Sequence, residues 1–289
     1  MDRVLIFLSL IFLEGCSLRT SMEESKDVLL KGNDIRVSLV NFRSLQLTEL
    51  NELTKEGSLQ KDFITKVLAH QNWNEGIRIA KEHLRVKPFH KNSMLLLAVC
   101  YLMKGDIQLA VFFSKKILDN SGQKSPTALN ILGLSHIRGA SSLDDFKVAG
   151  RYFQNSFDAS VEEVAAGLNL GYLKLQFGAA GDANSVFSAV ERRCGECREA
   201  LVGKAIALNR LEHYSEAKQL LDVVLDADPK NPQGLYQMAL YYKNHEGNLL
   251  KSKAILSELE TIVLPSQAEF GEKIKLLLGM YAQDEGVLR

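Results

Sequence analysis

The chain has 289 residues, enough for one elongated domain or two compact ones. Apolar residues make up 46% and charged residues 24%, which excludes a disordered chain, a collagen-like chain and a multi-pass membrane protein. Lys plus Arg number 35 and so do Asp plus Glu, so no basic excess draws the chain to nucleic acid. With 20 Gly, only 5 Pro and little period-two alternation, an all-helical chain is favoured over an all-β one.

Residues 1–15 read as an address. A short head with Arg3 precedes ten nearly all apolar residues, Val4 to Leu13. As a helix these span about 15 Å, half a bilayer core, so they suit a signal sequence and not a membrane span. Leu13-Glu14-Gly15-Cys16 then resembles the lipobox of bacterial lipoproteins, in which the Cys is acylated and becomes the new first residue. Leu13, Gly15 and Cys16 match that pattern; Glu14 departs from it, since small or apolar residues are usual there. The resemblance implies acylation of Cys16, an anchor outside the cytoplasm and, because Ser17 is not an Asp-type retention signal, the outer membrane with the domain facing the periplasm. The other reading is an ordinary secretory signal with an incidental Cys. Residues 16–33 comprise Cys16 and a Ser-, Glu-, Lys- and Asp-rich tether. Residues 34–56 are a cap segment, either a helix or, with Ile35, Val37, Leu39 and Phe42, a short extended stretch.

The body of the chain repeats. Gly167, Leu170, Gly171, Gly178, Ala183 and Phe187, shifted by 34 residues, become Leu201, Lys204, Ala205, Glu212, Ala217 and Leu221. A similar shift carries Trp73, Gly76 and Ala80 onto Ile107, Ala110 and Ser114. The period resembles that of the tetratricopeptide repeat, a helix–turn–helix unit. Within 198–231, Leu201, Ala205 and Leu208 share one helix face, Tyr214, Ala217, Leu221 and Val224 share a second, and Asp228-Pro229 closes the unit because Pro cannot continue a helix. Gly or Ala at the eighth position and Ala at the twentieth lie where two helices cross closely. Six units follow: 57–90, 91–124, 126–163, 164–197, 198–231 and 232–266, the third with about four extra residues at Gly139-Ala140-Ser141-Ser142. Residues 267–289 supply a capping helix, with Phe270, Ile274, Leu277, Leu278 and Tyr281 on one face, and a tail. The resemblance implies an all-α right-handed superhelical solenoid with a concave inner surface.

In the tetratricopeptide family the second, fifth, ninth, twelfth and thirteenth positions face that groove. Carried onto this chain, they include Asn92, Leu95, Val99, Leu102 and Met103; Asn130, Leu134, Ile137 and Arg138; Leu168, Tyr172, Leu175 and Gln176; Val202, Ile206, Asn209 and Arg210; and Tyr236, Leu240, Lys243 and Asn244. These side chains either complete the core between first helices or form an apolar groove for a segment of another protein, with Tyr172 and Tyr236 as anchors and the Asn and Arg side chains meeting a partner backbone. The carboxylate clamp of chaperone-binding repeats is not met: Lys61 is in place, but Thr65 stands where Asn is expected.

Reactive chemistry is sparse. Cys194-Gly195-Glu196-Cys197 falls between the fourth and fifth units and is a candidate disulfide, a pair of free thiols, or a metal or redox site. Cys100 reads as a small buried residue. No two of His70, His83, His90, His136, His213 and His245 share a ligand spacing, and no phosphate loop, dinucleotide fingerprint or serine elbow occurs. Asp144-Asp145 and Glu162-Glu163 read as solvated turn or helix-start carboxylates, and Trp73 as core. No metal, cofactor or enzymatic activity is expected. In length, repeat number and lipobox the chain resembles the tetratricopeptide pilotin lipoproteins of type IV pilus systems. That implies a scaffold assisting assembly of a secretin pore, with the membrane held through lipid. Repeat lipoproteins that regulate peptidoglycan enzymes, outer-membrane protein assembly or motility complexes share the same features, and an enzyme with no recognisable site is the remaining reading.

Overall fold

In a computed structural model of the chain, the described residues are 72–121, 125–161, 163–195, 197–262, 271, 272 and 274–279. Cys16, the tether, the 34–56 segment, Lys61, Thr65, Phe270 and Tyr281 lie outside them. All the regular structure among the described residues is helical: α1 (Trp73–Val86), α2 (Lys91–Lys104), α3 (Ile107–Ser121), α4 (Pro126–Arg138), α5 (Leu143–Ala159), α6 (Val164–Gln176), α7 (Ala180–Cys194), α8 (Arg198–Arg210), α9 (Tyr214–Ala227), α10 (Pro232–Asn244) and α11 (Leu249–Ile262). None is long and apolar enough to cross a membrane. The chain divides into two compact units, Met1–Ala166 and Gly167–Arg289.

Start and stop chemistry places the helices. Asn72 and Asn231 accept the Glu75 and Gly234 backbone N–H groups at the heads of α1 and α10. Pro126 and Pro232 open α4 and α10, where a missing N–H costs nothing. Gly105 and Gly178 end α2 and α6 in the left-handed region, at φ 89° and 75°. In the next repeat that role falls to Glu212 at φ 64°, the one non-glycine residue with positive φ among the described residues.

Within each unit, links of two to four residues fold consecutive helices back on each other as antiparallel pairs. In the first unit the Phe153 ring lies against Gly133, where an added Cβ would overlap it. In the second, Phe187 lies against both Gly171 and Gly203; a Cβ on Gly171 would stand 2.6 Å from the ring. One repeat on, the buried pair is Ala205 and Leu221, and after that Ala239 and Leu256. Ile274 packs in one cluster with Leu235, Ala239, Leu256 and Leu259, and Leu277 and Leu278 pack against it.

The extra residues of the third repeat are not all in its turn. Phe153 follows Gly133 by 20 residues, whereas Phe187 follows Gly171 by 16. The 139–142 link is only one residue longer than 177–179, so the other three lengthen the head of α5. Asp145 secures that extension: its Oδ2 accepts the Ser141 and Ser142 N–H groups at 2.9 and 3.0 Å. These bonds lower its pKa from the ordinary value. Asp145 is therefore a capping carboxylate and not a merely solvated one.

Candidate functional site

The inner-face positions divide by burial. In the first unit Asn92, Leu95, Val99, Leu102, Asn130, Leu134 and Ile137 are buried, and Met103 and Arg138 are half-buried. In the second, Leu168, Tyr172, Leu175 and Val202 are buried, while Gln176, Ile206, Asn209, Tyr236, Leu240 and Lys243 are half-buried and Arg210 and Asn244 are exposed. Of the two readings, burial favours the core one for Leu95, Val99, Leu134, Leu168, Tyr172 and Val202. Tyr172 shows why: its ring meets Phe187 edge-on at 5.1 Å, and its hydroxyl donates to the Glu199 carbonyl at 3.4 Å. It is already anchored in its own core.

Two further expected groove residues have structural work. Arg138 Nη1 donates to the Leu102 carbonyl at the end of α2, and Arg210 Nη1 donates to the Leu175 carbonyl at the end of α6. Those carbonyls also accept from Gly105 and Gly178, the left-handed caps. Each Arg thus brings a cation to the negative end of the preceding repeat's first helix. Arg210 keeps exposed surface, yet desolvation of its guanidinium lowers its pKa from the ordinary value.

What stays partly open is a strip in the second unit. Its members are Ile206 and Asn209 on α8 and Tyr236, Leu240 and Lys243 on α10, a helix that α8 touches. Asn209 Oδ1 is buried there with no hydrogen-bond partner among the described residues. The hydrocarbon of Ile206 and Leu240, the Tyr236 ring and the Lys243 ammonium together suit a peptide-like surface.

The chemically reactive side chains elsewhere are largely buried. Cys194 ends α7 and Cys197 precedes α8; both are free thiols. Burial pushes both thiols up, and the hydrogen bond between them raises Cys197 further while lowering Cys194. Thiolate chemistry is thereby disfavoured. Cys100 is fully buried and pushed up to about 12 by desolvation. His83 and His90, which sequence spacing left apart, meet on Ser93: their Nδ1 atoms lie 2.7 and 3.1 Å from its Oγ. Ser93 is 1% exposed, so no substrate reaches it. Glu163 is also buried, against expectation, and accepts from Thr127 Oγ1 at 3.2 Å and Asn130 Nδ2 at 3.5 Å. Trp73, at the head of α1, is half-buried. Among the described residues no group of three or more His, Cys, Asp or Glu side chains could hold a metal ion.

The architecture is that of tetratricopeptide proteins. PilF of Pseudomonas aeruginosa superposes with a TM-score of 0.57 at 16% identity, over 87% of this chain and 99% of that one. A tetratricopeptide repeat protein of Parabacteroides merdae gives 0.57 at 17% identity, over 78% and 86%. A chain of the APC/C Cut9–Hcn1 hetero-tetramer gives 0.58 at 13% identity, over 94% of this chain but 52% of that one. No family model and no curated protein matches the sequence.

Proposed function

We propose that the chain is a non-catalytic protein–protein interaction scaffold, exported and held by an acylated Cys16 on the periplasmic side of the outer membrane. There it assists assembly of an envelope complex, a type IV pilus secretin. The observation that carries the scaffold role is the half-open strip on α8 and α10. Its half-buried Ile206, Tyr236 and Leu240 still have apolar surface to bury against a partner segment. The lipid anchor is supported by Leu13-Glu14-Gly15-Cys16 directly after the apolar segment. The secretin role rests on the resemblance in length, repeat number and lipobox to tetratricopeptide pilotin lipoproteins.

In-cell photo-crosslinking from Tyr236 and Ile206 tests the role, with Val223 as an outward control that is 54% exposed. A secretin adduct is the expected result. An adduct with a cell-wall enzyme, a barrel-assembly component or a motility protein keeps the scaffold and replaces the secretin. Adducts from Val223 alone would sink the strip as the binding surface. Palmitate labelling that persists in Cys16→Ala would sink the anchor.

A further inference from the structure

The first unit carries an exposed aromatic surface at residues outside its inner-face positions. Phe89, in the turn between α1 and α2, is 67% exposed, and Phe112 on α3 is 53% exposed. Lys116 joins them, with its Nζ 5.5 Å from the centre of the Phe89 ring and 5.7 Å from that of Phe112. Val86 and Leu109, each three residues before one of these rings, are exposed as well. The surface is rooted in the core: Phe112 meets Phe113 edge-on at 5.1 Å, and Phe113 stacks on buried Tyr101 at 5.9 Å. Phe112 is therefore held outward by packing beneath it.

The segments that carry the rings are net positive. Residues 81–91 and 106–121 contain Lys81, Arg85, Lys87, Lys91, Lys115 and Lys116, against Glu82, Asp106 and Asp119. The chain as a whole sums to zero. Protruding rings with lysine between them need no shaped pocket in a partner. They enter a fluid interface with their apolar bodies, while the ammonium groups remain at the level of the headgroups.

We propose that Phe89, Phe112 and Lys116 form a membrane-contacting foot that seats the first unit on an anionic bilayer. The two rings and their aliphatic neighbours lie at the headgroup–acyl boundary, and Lys116 with its basic flank meets lipid phosphates. The foot extends the anchored-scaffold reading by fixing which face of the first unit lies on the lipid. It does not require the acyl chain.

The test uses the full chain with Trp73→Phe, carrying Phe89→Trp or Phe112→Trp as the sole indole. The chain is mixed with phosphatidylethanolamine–phosphatidylglycerol vesicles containing brominated lipid. Indole at either position should be quenched at least about twofold, and half a molar salt should weaken the effect several-fold. Phe177→Trp, an exposed position in the second unit, should stay bright. The double variant F89S/F112S, in the otherwise natural chain, should lose at least about tenfold in vesicle affinity with its helical signal unchanged. No quenching at residue 89 or 112 overturns the proposal, whether the chain then binds through its apolar leader or the patch is reserved for an acidic protein. Equal quenching at residue 177 overturns it as well. Palmitate labelling of Cys16 is read separately, so failure of the anchor and failure of the foot are distinguishable.

Discussion

Two neighbouring layers of the second unit solve one packing problem differently. Around Phe187 the facing positions are Gly171 and Gly203; around Leu221 the core includes Ala205. The ring is seated by removing methyl groups from the helices it touches, and the smaller Leu returns one. Volume is thus conserved across the crossing and not residue by residue, as close packing demands.

The strongest way to break the comparison is Phe187→Ala. A ring with no exposed surface leaves a cavity, and the expected loss is about 3–5 kcal/mol in urea unfolding. Gly171→Ala should cost about 1–3 kcal/mol through the clash. Combined with Phe187→Leu, which imitates the next layer, it should cost clearly less than the sum of the two single variants. Simple additivity would mean that the layers are not equivalent. Arg210→Ala and Arg138→Ala extend the comparison to the caps. Each removes a bond from a charged donor, and each should lose about 1–2 kcal/mol, by similar amounts if the two units share one device.

Glu212→Gly sharpens it in the other direction. It places glycine where Gly178 stands one repeat earlier, and it should stabilise by about 0.5–1 kcal/mol by relieving a left-handed side chain. The smallest effect expected is that of Asp145→Asn. The folded Asp145 carboxyl titrates below its ordinary 3.8, so its contribution is fully present above that pH and is lost as pH falls through the folded value. Melting curves of the two proteins should differ near neutrality and converge in acid.

The helical fold was legible because its signal lies in residue size at a fixed spacing: Gly171, Ala205 and Ala239 mark the close crossings. The inner face was less legible. Position alone marks Leu95, Leu134 and Tyr172 as inward residues but carries nothing about how far each is buried. Arg138 and Arg210 occupied groove positions on paper, yet their partners are backbone carbonyls, which leave no trace in residue identity. The cluster of Phe89, Phe112 and Lys116 depends on where a turn places one ring relative to α3. Glu163 gave no warning of burial because its partner Thr127 is 36 residues away.

The two seats of Phe187 also bear on how such an array can grow. Gly203 is the sixth residue of its repeat, and the sixth residue of the preceding repeat is Asn169. A tandem copy of residues 164–197 would therefore bring an asparagine against the ring that Gly203 now admits. The repeats look like interchangeable modules, but this joint is fitted to glycine. An engineered array that repeats residues 164–197 should carry Gly in place of Asn169 in the second copy, so that the ring keeps both seats.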